Sequence, residues 1–113
     1  MSEEVFDVRT GPVRVSGYAI KLRRVINGVL GARIGKGKLD TKSINESISE
    51  INTKLYEVIV NKYKVPKEAI VNIGLKFRVV ENKVVVDEIG VEVFDKDEIL
   101  SKNVTEDVKQ LFS

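Results

Sequence analysis

An α+β fold, with a small antiparallel sheet and two long helices on one of its faces, is what the sequence predicts. Three observations carry that expectation. Apolar residues recur at helical spacing up to Pro66 and at every second position beyond it. The second half holds two alternating runs joined by a short turn, as in a hairpin. One alternating segment near the start supplies a further strand. The chain of 113 residues suits one domain, residues 1–113, long enough to bury a core without disulfides or metals.

Residues 4–9, EVFDVR, alternate apolar and polar side chains with Phe6 and Val8 on one face, which predicts the first strand. Thr10 before Gly11 and Pro12 reads as a helix start, because Pro in a first turn lacks only a donor that would go unpaired there. The first helix is expected over residues 12–34. Val15, Ala19, Leu22, Ile26, Val29 and Arg33 form its sheet-facing stripe, flanked by Tyr18, Val25 and Leu30. GKGKLD is a loop, after which Thr41 or Ser43 caps a second helix over residues 43–63, and Ser43 with Glu46 fits a capping box. Ile44, Ile48, Ile51, Leu55 and Val58 are the core stripe of that helix, with a seam for a partner helix as the minority reading.

Beyond Pro66, residues 70–80 alternate Val71, Ile73, Leu75, Phe77 and Val79 with polar or small residues, a strand with one wet face. A turn at Asn82 and Lys83 leads to the strand of residues 84–94. A two-residue turn there sets Val79 opposite Val86, and a bulge near Asp87 and Glu88 then brings Phe77 opposite Ile89 and Leu75 opposite Val91. A three-residue loop is the alternative. Residues 95–102 read as a turn or short helical piece, and Asn103 with Glu106 as the capping box of a short last helix ending near Phe112.

Composition narrows the function. The chain has neither Cys nor His, which removes the commonest metal ligands and the commonest general base. No enzyme, metal or cofactor is therefore expected; a binding module is. Ser2, Glu3 and Glu4 stand where a secretory leader would be basic and then apolar, so the expected location is cytoplasmic. Abundant Lys and Glu lean toward a thermophile. The net charge of +2 conceals an asymmetry: residues 9–42 hold nine Lys or Arg against Asp40 alone, whereas residues 79–113 hold four basic against nine acidic residues. A separated basic region steers polyanions, although the two ends could also pair with each other.

The segment VRVSGYAIKLRRVINGVLGARIGKGK, Val13 to Lys38, has seven Lys or Arg, five Gly and no acidic residue. On a helix, Arg14, Gly17, Lys21, Arg24 and Gly28 share one stripe, with Gly31 near its continuation. Glycine inside a helix costs about 1 kcal/mol relative to Ala, so several need a reason. Each permits close approach of another backbone, either a neighbouring helix or a phosphate chain held between basic side chains. Lys36 and Lys38 add candidate phosphate contacts, but the loop is no nucleotide-binding motif: its glycines are one residue too close and no Ser or Thr follows Lys36. Single-strand binders pair charge with aromatic platforms. Among Phe6, Tyr18, Phe77 and Phe94, Tyr18 is preferred because it adjoins the basic stripe, while Phe77 sits on the predicted core face. On the strands, Lys76 and Arg78 face Glu88 and Glu92, which can neutralise them. No helix-turn-helix or zinc-finger spacing occurs, and the glycines of the basic helix and its lack of Trp or Phe on the apolar side count against a membrane-surface helix.

FDVRTGPVRVSGYAIKLRRV, above all the RTGxxxxxGYAxKLRR-like segment from Arg9 to Arg24, resembles the crenarchaeal family of small conserved proteins related to ThermoDBP, the single-stranded DNA-binding protein of the Thermoproteales. The resemblance implies an oligomeric α+β domain that holds single strands in a cleft lined by basic and apolar residues. The long C-terminal coiled-coil extension of the founding member has no counterpart in this sequence, which leaves that route to oligomers in doubt. The expectation is non-sequence-specific binding of single-stranded DNA or RNA through Arg14, Tyr18, Lys21, Arg24, Lys36 and Lys38, in a homo-oligomer with a dimer as first guess. The alternative is an assembly or adaptor domain without strong nucleic-acid affinity.

Overall fold

The computed structural model describes residues 4–35, 37–94 and 98–113. The chain forms β1 (Phe6–Arg9), β2 (Val13–Arg14), α1 (Tyr18–Gly35), α2 (Thr41–Tyr56), β3 (Ile70–Val80), β4 (Lys83–Val93) and α3 (Glu98–Leu111). A 3-10 turn at Val15–Gly17 leads into α1, and a π-helical stretch, Glu57–Lys62, prolongs α2. This is the α+β arrangement that the change of apolar period indicates.

β3 is the centre of an antiparallel sheet, with β4 along one edge and β1 and β2 sharing the other. Its alternation decides which face is covered. Val71, Ile73, Leu75 and Phe77 are all 0–1% exposed, while Lys76 on the opposite face is exposed. Buried side chains of α1, α2 and α3 join the covered face in one core. Phe6 stacks on Phe77 within it, with ring centroids 5.2 Å apart.

β1 and β2 are one edge strand interrupted by a bulge. Arg9 lies opposite Gly74 and Val13 opposite Val71, so the chain takes the step from 9 to 13 against the shorter step from 74 to 71. Gly11, at φ 71°, turns the chain there. Thr10 completes the pairing: its backbone N–H donates to the Ile73 carbonyl at 2.9 Å, and its buried hydroxyl accepts the Ile73 N–H at 3.0 Å. The expected helix start at Thr10–Pro12 is thus corrected. The bulge and β2 use these residues to finish the sheet, and α1 begins only at Tyr18. Thr10→Val leaves the Ile73 N–H buried without an acceptor, so a loss of about 1 to 3 kcal/mol is expected in urea unfolding.

The later start also moves the core stripe of α1 to Tyr18, Leu22, Ile26 and Leu30, following Val15. Val29, assigned to the buried face by the sequence pattern, is 38% exposed. α1 ends on a Schellman motif: Lys38 N–H donates to the Arg33 carbonyl and Gly37 N–H to the Ile34 carbonyl, with Gly37 at φ 71°.

Ile44, Ile48, Ile51, Leu55 and Val58 are all buried, as their spacing requires. Asp40, not Thr41 or Ser43, is the N-cap residue of α2. The Ser43 hydroxyl donates to its carboxylate at 2.6 Å and is the main influence holding that group below the usual carboxylate range. Glu46 closes no capping box among the described residues.

The β3–β4 turn is Glu81–Asn82, both at positive φ (52° and 63°), which matches the strand twist of a two-residue hairpin. It pairs Val79 with Val84. The bulge falls at Asp87 as anticipated, since Phe77 faces Val86 and Lys76 faces Glu88, but Leu75 consequently meets Ile89 and not Val91. α3 is a single helix from Glu98, so Asn103 lies inside it and caps nothing. Residues 95–97 of the expected charged turn lie outside the described residues. Val104 and Val108 are fully buried. Two hydroxyls meet the outer edge of β4: Ser47 accepts the Val84 N–H at 2.8 Å, and Thr105 accepts the Val91 N–H at 3.0 Å while donating to the Val91 carbonyl at 2.6 Å.

Candidate functional site

Burying Tyr18, Leu22, Ile26 and Leu30 turns the opposite side of α1 outward. Arg24, Gly28, Gly31 and Gly35 are exposed there, with Ile20 67% exposed beside them. A Cβ added at Gly28, Gly31 or Gly35 would meet nothing within 4 Å. These glycines therefore pack against no element among the described residues, which argues against helix packing within the chain as their explanation. Gly17 differs slightly, since a Cβ there would touch Val13 at 3.7 Å.

Lys21 and Arg24, three residues apart on α1, occupy neighbouring outward positions. Neither makes an ion pair among the described residues, and the same holds for Arg14 and Lys38. Arg14 is not on the helix. It belongs to β2, opposite Ile70, and lies exposed on the uncovered side of the sheet. Lys38 follows the Schellman turn at the far end of α1, where a cation also complements the negative helix terminus. Lys36 lies outside the described residues. The stripe expected to be continuous is thus divided, with Lys21 and Arg24 together, Arg14 on the sheet side and Lys38 beyond the helix end.

The other basic residues of α1 are committed. Arg23 bridges to α2, donating to Asn45 Oδ1 at 2.8 Å and Ser49 Oγ at 2.7 Å. Arg33 pairs with Glu4 and lies 4.9 Å from the centroid of the Phe6 ring.

Tyr18 is corrected as a stacking platform. Its side chain is buried, 3% exposed, and its hydroxyl donates to the Asn52 carbonyl on α2 at 2.9 Å. Burial, with the nearby Tyr56 adding to it, pushes the phenol well above its ordinary value. The ring belongs to the α1–α2 contact and offers no free face. Its i, i+4 spacing to Leu22, Ile26 and Leu30 puts it on the buried stripe, a signal outweighed in the sequence reading by its nearness to Lys21. The exposed aromatics are Tyr56, 50% exposed at the end of α2, and Phe94, 52% exposed.

Phe94 directs attention to the uncovered sheet face. Its N–H donates to the Ile70 carbonyl at 2.8 Å, which places Phe94, Ile70 and Arg14 in one row across three strands. The strand cations Lys76 and Arg78 are neutralised there, Lys76 by Glu88 at 3.5 Å and Arg78 by Asp87 at 2.9 Å. Glu92 instead accepts from Asn72 at 3.0 Å. Arg9, absent from the expected site, makes no ion pair among the described residues.

Fold and surface together define a small α+β domain. Cations without an ion pair among the described residues include Lys21 and Arg24 on the outer side of α1 and Arg9 and Arg14 on the bare sheet face. Among the described residues no cluster of acidic side chains could hold a metal ion, and no helix is long and apolar enough to cross a membrane. The chain belongs to the ThermoDBP-related archaeal family, whose model matches residues 8–85. Among solved structures it is similar to apeThermo-DBP-RP2 bound to ssDNA dT10, with 30% identity and a TM-score of 0.76 over 95% of this chain and 50% of that one. It is also similar to pfuThermo-DBP-RP1, with 29% identity and a TM-score of 0.67 over 94% of this chain and 70% of that one. The chain thus spans about half the length of the first of these relatives. No curated protein sequence matches it.

Proposed function

We propose that this chain binds single-stranded DNA without sequence specificity, using the outer side of α1 and its two ends: Arg14, Lys21, Arg24, Lys36 and Lys38. The observation that carries the reading is the outward side of α1, where Lys21 and Arg24, without ion pairs among the described residues, are followed by Gly28, Gly31 and Gly35, whose missing side chains would meet nothing there. Gly28 and Gly31, inside the helix, cost about 2 kcal/mol of helix propensity at about 1 kcal/mol each. A close-approaching phosphate backbone offsets that cost and is held by the flanking charges. Family membership and the ssDNA-bound relative support this reading.

The same side of α1, with Ile20 beside the glycines, also suits a second copy of the chain, and we propose a dimer. Labelled single- and double-stranded oligonucleotides titrated at two salt concentrations test the function. Preference for single strands with strong salt weakening is the expected outcome, and no binding at low salt removes it. Light scattering from micromolar to hundred-micromolar protein should give a dimer mass; a monomer mass throughout removes the dimer.

A further inference from the structure

The bare sheet face holds a feature that α1 does not explain. Gly74 and Gly90 stand directly opposite each other on adjacent strands. Glycine within a strand forfeits side-chain packing and often marks the close approach of a ligand or another backbone. Nothing lies within 4 Å of a Cβ placed on Gly90. On Gly74 the nearest neighbour is Arg9, whose Cγ, Cζ and Nη1 all lie 3.7 Å from that Cβ position. Arg9 therefore folds down over the glycine floor, with no ion-pair partner among the described residues.

A groove of about 810 Å³ runs over this floor, bounded by Arg9 at one end and Lys109 and Phe112 of α3 at the other. Its size falls in the range of small-molecule sites. Asn72 lines it with its Nδ2 committed to Glu92, leaving a buried Oδ1 with no partner. The carboxylates along the groove are engaged: Glu88 by Lys76, Asp87 by Arg78 and Glu92 by Asn72. Arg9 and Lys109 remain as uncommitted cations, one at each end.

A guanidinium plane, an open flat floor and a cation at the far end match the parts of one nucleotide. We propose that a base of the bound single strand enters this groove and stacks on the Arg9 guanidinium above Gly74 and Gly90, while its phosphate meets Lys109. Stacking of bases on arginine planes is a general device of single-strand recognition. The inference rests on the single-strand reading above and adds a base-binding subsite to it, on a different surface from α1.

Gly90→Val tests the groove. The new side chain enters open space, and Val favours strands, so the fold is retained. The probe is a labelled oligothymidine of ten nucleotides, with thermal melting of each protein measured alongside. Loss of one stacked base predicts an affinity about five- to 150-fold weaker for Gly90→Val with an undiminished melting temperature. Arg9→Ala should weaken binding similarly, and it carries the test should Gly90→Val fail to fold. If wild-type protein binds and the tested variant binds equally well, the groove is not a base site, although single-strand binding stands. If wild-type protein binds no oligonucleotide, the single-strand reading fails and the subsite with it.

Discussion

Phe77→Ala is expected to destabilise the protein by about 3 to 5 kcal/mol, the usual cost of truncating a large aromatic side chain in a core. Phe77 is fully buried on the central strand, and the change also removes its stacking with Phe6. Domains of this size are stable by only about 5 to 15 kcal/mol, so the variant should lie close to its unfolding threshold. Urea unfolding followed by circular dichroism measures the effect. A midpoint close to wild type would mean that Phe77 is not a packed member of the covered face. The expected loss is large because β3 is paired on both sides, so its backbone cannot collapse into the space left by the ring.

The second large effect concerns binding. Replacing both Lys21 and Arg24 by Ala should weaken single-strand binding and flatten the log–log salt dependence by about one to one and a half units, at about 0.7 units for each phosphate that is no longer neutralised. Both side chains are on the outer surface and make no ion pair among the described residues, so folding should change little. Tyr18→Ala makes the contrast. It empties a buried position and breaks the bond to Asn52, so its effect should appear first as lower stability. Salt slopes from fluorescence anisotropy at several ionic strengths decide the point. Unchanged slope and affinity in the double variant would place the strand elsewhere on the molecule.

Much of this fold is legible in the sequence because strong periodicity outlives uncertain boundaries. The stripe from Ile44 to Val58 and the alternation from Val71 to Phe77 each reduce to a burial pattern that one spacing explains. The hairpin register is harder for a reason that lies in one residue. Asn accepts positive φ readily and Glu does not, so a turn at Asn82–Lys83 is the natural choice, yet Glu81 adopts φ 52°. That shift changes every cross-strand partner. It hides the pairing of Gly74 with Gly90, which sequence alone would set apart. The basic side chains are legible as a group but not as a surface, because Thr10–Arg14 completes the sheet before α1 begins. Arg14 therefore separates from Lys21 and Arg24, while Tyr18 turns inward as the first member of the stripe that continues through Leu22, Ile26 and Leu30. Arg9 escapes sequence reasoning since nothing in a strand of four residues announces that its side chain will lie over a glycine on the next strand.

The Ser47 and Thr105 hydroxyls on β4 also bear on how copies of this chain can associate. A strand arriving from another molecule along that margin would need the Val84 and Val91 amides for its own ladder, and both are already taken by side chains from α2 and α3. Exposed sheet margins act as templates for runaway strand addition, and natural proteins block them. Here the block comes from two helices whose placement depends on the core, so it holds only while the protein is folded. Strand addition at Val84 or Val91 would therefore have to displace the Ser47 or Thr105 hydroxyl, so the contacts that join α2 and α3 to β4 also oppose pairing at those two positions.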